Sequence, residues 1–196
     1  MKYLFNLGCG PKANDRLPPL FDDWQVVRVD IDERVSPDLV ADLSDLSPIG
    51  SNIADAVWAS HCIEHLYAPD IDRALKEIHR ILRDDGFAVI LVPDLQAVAK
   101  FIAEDKLNAV VYRSAAGPVT AHDMVYGFGP ALAKGDMHMA HRSGFTPSVL
   151  MERFRDAGFT AYGVVRRPGL ELVGIAAKQP WTSEPERLEL FKRLGL

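Results

Sequence analysis

Phe87-Ala88-Val89-Ile90-Leu91-Val92 is an uninterrupted apolar run, and it constrains the fold more than any other feature of the chain. A strand with one face in water alternates polar and apolar residues, so an unbroken run of this kind predicts a strand covered on both faces. Short strand signals precede it, each ending on a glycine, an acid or a small polar residue. Tyr3–Leu7 stops at Gly8 and Gly10, Gln25–Val29 at Asp30, Asp38–Ala41 at Asp42, and Ala54–Ala59 at Ser60-His61. Next, Ile71, Leu75, Ile78 and Leu82 recur at three- or four-residue spacing. They predict a helix that starts near Pro69 and ends at Asp84-Asp85-Gly86.

Beyond the apolar run, Asp94 to about Val111 reads as helical, with Val98, Phe101, Ile102 and Leu107 as apolar positions. Residues 113–145 have little periodicity and concentrate glycine, histidine and methionine, which predicts a long functional loop such as a lid or binding wall. Thr146-Pro147 starts a helix that runs to Ala157-Gly158, and strands around Thr160–Val165 and Leu170–Ala177 form a terminal hairpin. Alternating strand and helix signals give the fold class: α/β, with a doubly wound, mostly parallel sheet.

A chain of 196 residues fits one domain and is able to bury roughly 70% of its unfolded surface. We place that domain at residues 1–179, with the lid insertion at 94–145 and a polar tail at 180–196. Leu188, Leu190, Phe191 and Leu194 of the tail are available to dock on this subunit or another, so the expected state is monomer or homodimer. A net charge of −5 argues against nucleic acid and anionic membrane as partners. Cys9 and Cys62 make no disulfide framework and favour the cytoplasm. No signal peptide or membrane span can be made from the first residues.

The first strand and its glycines carry the chemistry. Glycines after a strand let the backbone turn tightly and approach a ligand closely, and Asp30 is placed to accept hydrogen bonds from two ribose hydroxyls. Gly8-Cys9-Gly10-Pro11-Lys12-Ala13 satisfies the loose G-x-G-x-x-G/A dinucleotide pattern. Pyrophosphate, however, needs free N–H groups at a helix start. Pro11 removes a donor, Pro18 and Pro19 break the following helix, and Asp30, Asp32 and Asp42 bring negative charge to nearby strand ends. That balance tips toward a phosphate-free nucleoside bearing a sulfonium, S-adenosylmethionine (SAM).

These residues, in their order and spacing, resemble the class I SAM-dependent methyltransferases, in particular the single-domain group of methyltransferase type 11. The matching stretches are Leu4–Gly10, Val27–Asp32, Asp38–Leu43, Ala54–Leu66 and Ala74–Phe87, followed late in the chain by His141–Thr146 and Ala157-Gly158-Phe159. The resemblance implies a Rossmann-like sheet of seven strands in the order 3-2-1-4-5-7-6, with strand 7 antiparallel. It implies SAM as methyl donor, S-adenosylhomocysteine (SAH) as product, and an unidentified small molecule or biopolymer as acceptor. It also implies a cofactor site of Asn6, Gly8, Cys9, Gly10, Asp30, Ile31, Asp42, Leu43, Ser60 and His61. Asp30 would hold the ribose and Asp42 the adenine amino group, while Ser60 and His61 line the methyl-donor side. The family's usual third glycine is replaced by Pro11–Asn14, so Lys12 or Arg16 is expected to pair with the methionine carboxylate. The common N-terminal helix of the family does not precede the first strand.

Methyl transfer asks mainly for alignment of donor and acceptor and exclusion of water, with a base only where the acceptor must lose a proton. His65, His138 and His141 are the candidate catalytic residues. Met124, Met137 and Met139, with Tyr112, Tyr126 and Phe128, are candidates for an apolar acceptor pocket. Zinc ligand types occur in His61-x-x-x-His65 with Glu64 and in His138-x-x-His141. The first pair lies on no predicted long helix and HExxH is lacking, so no metal is expected. Two alternatives stand beside the methyltransferase: an NAD-dependent oxidoreductase, and a non-catalytic SAM- or SAH-binding or interaction protein.

Overall fold

The computed structural model describes residues 1–14, 17–114, 116–181 and 183–195, without the side chains of residues 14 and 184–187. Its main sheet has seven strands: β1 (Tyr3–Leu7), β2 (Gln25–Asp30), β3 (Leu39–Val40), β4 (Ala54–Ser60), β5 (Leu82–Pro93), β8 (Ala161–Arg167) and β9 (Glu171–Ala177), with β6 and β7 forming a separate hairpin. The order across the sheet is β3-β2-β1-β4-β5-β9-β8. β1 to β5 pair in parallel, and β9 runs antiparallel to both of its neighbours. This is the predicted order 3-2-1-4-5-7-6 with its antiparallel seventh strand.

Alternation along the central strands supplies two cores. Phe5, Leu7, Val57, Ala59, Ala88, Ile90 and Val92 face one side. There they meet α1 (Ala68–Ile81), through Ile71, Leu75 and Ile78, and α5 (Pro147–Asp156), through Leu150 and Phe154. Leu4, Ala56, Trp58, Phe87, Val89 and Leu91 face the other side. No long helix covers them among the described residues of the first half. Their cover is the short turn Pro19–Phe21, Trp24, Leu190 and Phe191 of the C-terminal helix α6 (Glu184–Arg193), and Leu194 just beyond it. The tail therefore docks on its own domain.

Two elements differ from the sequence expectation. The helix predicted over 94–111 is α2 (Leu95–Ala103), capped by Asp94, whose carboxylate accepts from the N–H groups of Gln96 and Ala97. It stops at Asp105, which takes a left-handed φ of 56°. The segment 113–145 is not an irregular loop. β6 (Val110–Ser114) and β7 (Gly117–Thr120) form the hairpin, followed by α3 (Ala121–Tyr126) and α4 (Gly129–Leu132). Val98, Val119, Ala121 and Met124 give it a core of its own, with Phe101, Tyr112 and Phe128 packed against them. Met124, Tyr112 and Phe128 are thus packing residues of this segment, whereas Tyr126 and Met137 are exposed. Thr120 and Asp123 form a reciprocal cap at the start of α3.

Candidate functional site

β1, β2 and β4 end side by side, and their carboxyl ends carry most of the predicted cofactor residues. Gly8 and Gly10 both adopt left-handed backbone, with φ of 62° and 60°. A Cβ on Gly8 would lie 2.4 Å from the Cys62 Cβ, so the turn packs directly on the chain leaving β4. A Cβ on Gly10 would meet nothing within 4 Å. The Asp30 carboxylate is fixed between two backbone donors, the N–H of Gly10 at 2.8 Å and of Asp32 at 2.9 Å. Arg28, which the sequence analysis passed over, is buried beneath this turn. Its guanidinium donates to the carbonyls of Gly10 at 2.5 Å and Ser36 at 3.0 Å. A lone charge inside the apolar run of β2 was the available signal.

Ile31 is exposed and lines a cleft with Asp32, Arg34, Asp136 and His138, where residues 135–138 pass the end of β2. Arg34 donates to both oxygens of Asp32 and holds that carboxyl down at about 2. Asn6 is buried within β1, opposite Arg28 and Trp58. Cys9 is also buried, and its N–H donates to the Val29 carbonyl. Asp42 accepts from the N–H and hydroxyl of Ser44, and the Leu43 side chain enters the core. Lys12 is exposed in a short turn, and Arg16 lies outside the described residues.

A second group of residues gathers beyond Ser60, where β4 ends. His61 takes a left-handed φ of 52° and sits between two carboxylates. Its Nε2 is 2.8 Å from Glu171 Oε1 and its Nδ1 is 3.4 Å from Glu64 Oε1. Burial alone would lower its pKa, but these carboxylates outweigh it and hold the ring in its charged form. Glu64 is 1% exposed, and neither of its carboxylate oxygens has a hydrogen-bond partner. Burial opposes its charge, whereas His61 and then His65 and His141 favour it, and its pKa is lowered. Burial, then Glu64 and Asp30, push the Cys62 thiol up, so these two carboxylates act on that thiol together.

Of the three candidate catalytic histidines, the fold brings two together. The rings of His65 and His141 lie 4.9 Å apart, centroid to centroid. Residues 141–143 are stitched to the short turn Ile63–His65. Arg142 and Ser143 both donate backbone N–H groups to the Glu64 carbonyl, and the Arg142 guanidinium donates to the His65 carbonyl. His138 lies instead at the cleft beside Asp32. Glu171 escaped the sequence analysis because it meets His61 only across 110 residues of chain.

Comparison with known proteins agrees with the fold that carries these residues. Residues 5–90 match the family model described as a methyltransferase domain. No curated protein matches the chain. Among solved structures, a SAM-dependent methyltransferase of Thermotoga maritima, described as a possible histamine N-methyltransferase, superposes with a TM-score of 0.60 at 16% identity, covering 91% of this chain and 83% of its own. One from Methanosarcina mazei gives 0.57 at 18%, covering 91% and 93%. The 1,6-didemethyltoxoflavin-N1-methyltransferase of Burkholderia thailandensis, solved with its substrate and SAH, gives 0.54 at 20%, covering 91% and 71%. These likenesses are of fold. Residues 5–90 thus match a methyltransferase domain, and the chain as a whole has the fold of the class I SAM-dependent methyltransferases. Among the described residues no helix is long and apolar enough to cross a membrane.

Proposed function

We propose that SAM lies along the ends of β1 and β2, under residues 135–138 of the lid, and gives its methyl group to an acceptor seated near His65 and His141. The observation that carries this reading is the open side of Gly10 beside a fixed carboxylate. Backbone without a Cβ faces free space there, and Asp30 is already oriented by two N–H groups. Bound SAM supplies a carbon activated by sulfonium. The chain's own residues then bind and orient. Asp30 accepts from the ribose hydroxyls with the lone pairs left over from its backbone donors, and Ile31 offers an apolar surface to the adenine. Asn6, Gly8 and Cys9 bound the methionine side, Asp42 and the Leu43 backbone the adenine edge, and Ser60 and His61 the donor side. Asp30, Asp32 and Asp42 favour a cationic ligand over a pyrophosphate. His65 and His141 are the candidate groups for taking a proton from the acceptor, and His138 closes the cleft. Free Cys9 and Cys62 support a cytoplasmic setting, and the net charge of −5 supports an acceptor other than intact nucleic acid.

Thermal melting with added ligand tests the site. A ligand that binds only the folded state, at a hundredfold excess over its Kd, adds about 2.7 kcal/mol, a shift of several degrees in a domain of this size. SAM and SAH are expected to give that shift and NAD none, and Asp30→Ala is expected to abolish it. A shift with NAD alone would replace this reading by an oxidoreductase. A full SAH shift in Asp30→Ala would move the site away from β2.

A further inference from the structure

We propose that Glu64, His65 and His141 form a binding site for one divalent transition-metal ion, zinc by ligand type. One carboxylate and two imidazoles offer donor atoms that all lie within 4.8 Å of one another. Donors around a tetrahedral zinc ion stand about 3.3 Å apart, so modest side-chain rotation closes the set. The turn Ile63–His65 supplies two ligands and the lid the third. This pairing differs from His61-x-x-x-His65, which the sequence suggested, and it needs no long helix.

Three independent features of the site point to a cation. First, Glu64 is fully enclosed with both carboxylate oxygens unbonded. A buried carboxylate in that state is strongly unfavourable without a positive charge against it, and His61, the nearest group bearing one, is shared with Glu171. Second, His141 Nδ1 lies 3.0 Å from the Met124 carbonyl. An N–H donated there fixes the tautomer and leaves Nε2 as the free lone pair, the usual support behind a metal-bound histidine. Third, His65 has Nδ1 at 3.1 Å from the Ala140 carbonyl and Nε2 at 3.2 Å from the His61 carbonyl. A neutral ring donates from one nitrogen only, so the other sets a lone pair against oxygen, and rotating that nitrogen off the carbonyl and onto a cation removes the repulsion.

The backbone bonds of Arg142 and Ser143 to Glu64 hold the lid ligand over the other two. With the ion bound, His65 and His141 act as its ligands in place of proton acceptors. Three protein ligands leave the ion room for water or an oxygen-bearing group of the acceptor. That last role rests on the methyl-transfer reading; the binding of the ion does not.

The test uses the full chain, free of any tag, stripped with a chelator and titrated calorimetrically with zinc chloride. One ion per chain is expected for the wild type. Glu64→Gln and His141→Ala are expected to weaken binding by at least about a hundredfold, and His138→Ala to leave it unchanged. Cobalt(II) substitution of the wild type is expected to give the intense visible bands of a tetrahedral site, a readout that stands even where a variant fails to fold. Absence of both zinc uptake and cobalt bands would overturn the proposal and leave Glu64 as the ion-pair partner of His61. Equal zinc affinity in Glu64→Gln would also overturn it. A SAH melting shift measured in parallel separates the two ideas. A shift without zinc binding sinks only the metal site, and zinc binding without a shift sinks only the cofactor site.

Discussion

Gly8 and Gly10 share a left-handed backbone and differ in what surrounds them. An alanine at either position pays about 1–2 kcal/mol for that conformation. At Gly8 the new methyl would also collide with Cys62, so Gly8→Ala is expected to lower the melting temperature sharply. At Gly10 the methyl enters open space. Gly10→Ala is therefore expected to stay folded, melt only a few degrees lower, and bind SAH at least tenfold more weakly in a calorimetric titration. Wild-type affinity in that variant would show that the cofactor approaches from elsewhere. Spacing made these glycines and Asp30 legible in the sequence, because a turn and an acid at the next strand end lie close along the chain. Glu64 was visible only as a residue type, and Glu171 not at all. Their importance comes from burial and from partners distant in sequence.

At the scale of elements, legibility followed the regularity of the apolar pattern. α1 was readable from one stripe, although Leu82, counted with the helix, caps it and opens β5. α2 was overextended because Leu107 and Val111 continue its period in sequence while Asp105 turns the chain away. The hairpin 110–120 was missed because its strands are short and Pro118 interrupts the second. His79, near the end of α1, packs edge-on against Phe159 at 5.1 Å and ties that helix to the start of β8. Burial, then Lys178, lowers its pKa from 6.5. The folded state therefore prefers the neutral ring. This stabilisation is fully present above about pH 6.5 and is lost as pH falls through the lowered value. Melting curves between pH 7.5 and 5 are expected to fall on acidification, less steeply in His79→Gln. Identical slopes would mean that the ring is equally charged in the folded and unfolded chain.

Across the whole molecule the doubly wound, mostly parallel class was legible from alternating strand and helix signals, and the strand order from the family resemblance. The unequal cover of the two faces was not legible, since nothing local says which face a charged C-terminal helix will choose. Leu194, 4% exposed, anchors that helix against the core containing Leu4 and Phe87. Leu194→Ala is expected to cost about 2–3 kcal/mol, roughly 4–10 °C in melting temperature. A change within error would mean that the helix rests on the sheet without supporting it.

This arrangement also bears on biosynthesis. Chains emerge from the ribosome N-terminus first and fold as they are made. The face bearing Leu4, Trp58 and Phe87 is formed from early and middle residues, yet Leu190, Phe191 and Leu194, which help to close it, are translated after every strand of the sheet. Until those residues emerge, the nascent sheet presents an oily surface with only part of its cover, a ready target for chaperones and for a neighbouring nascent chain on the same messenger.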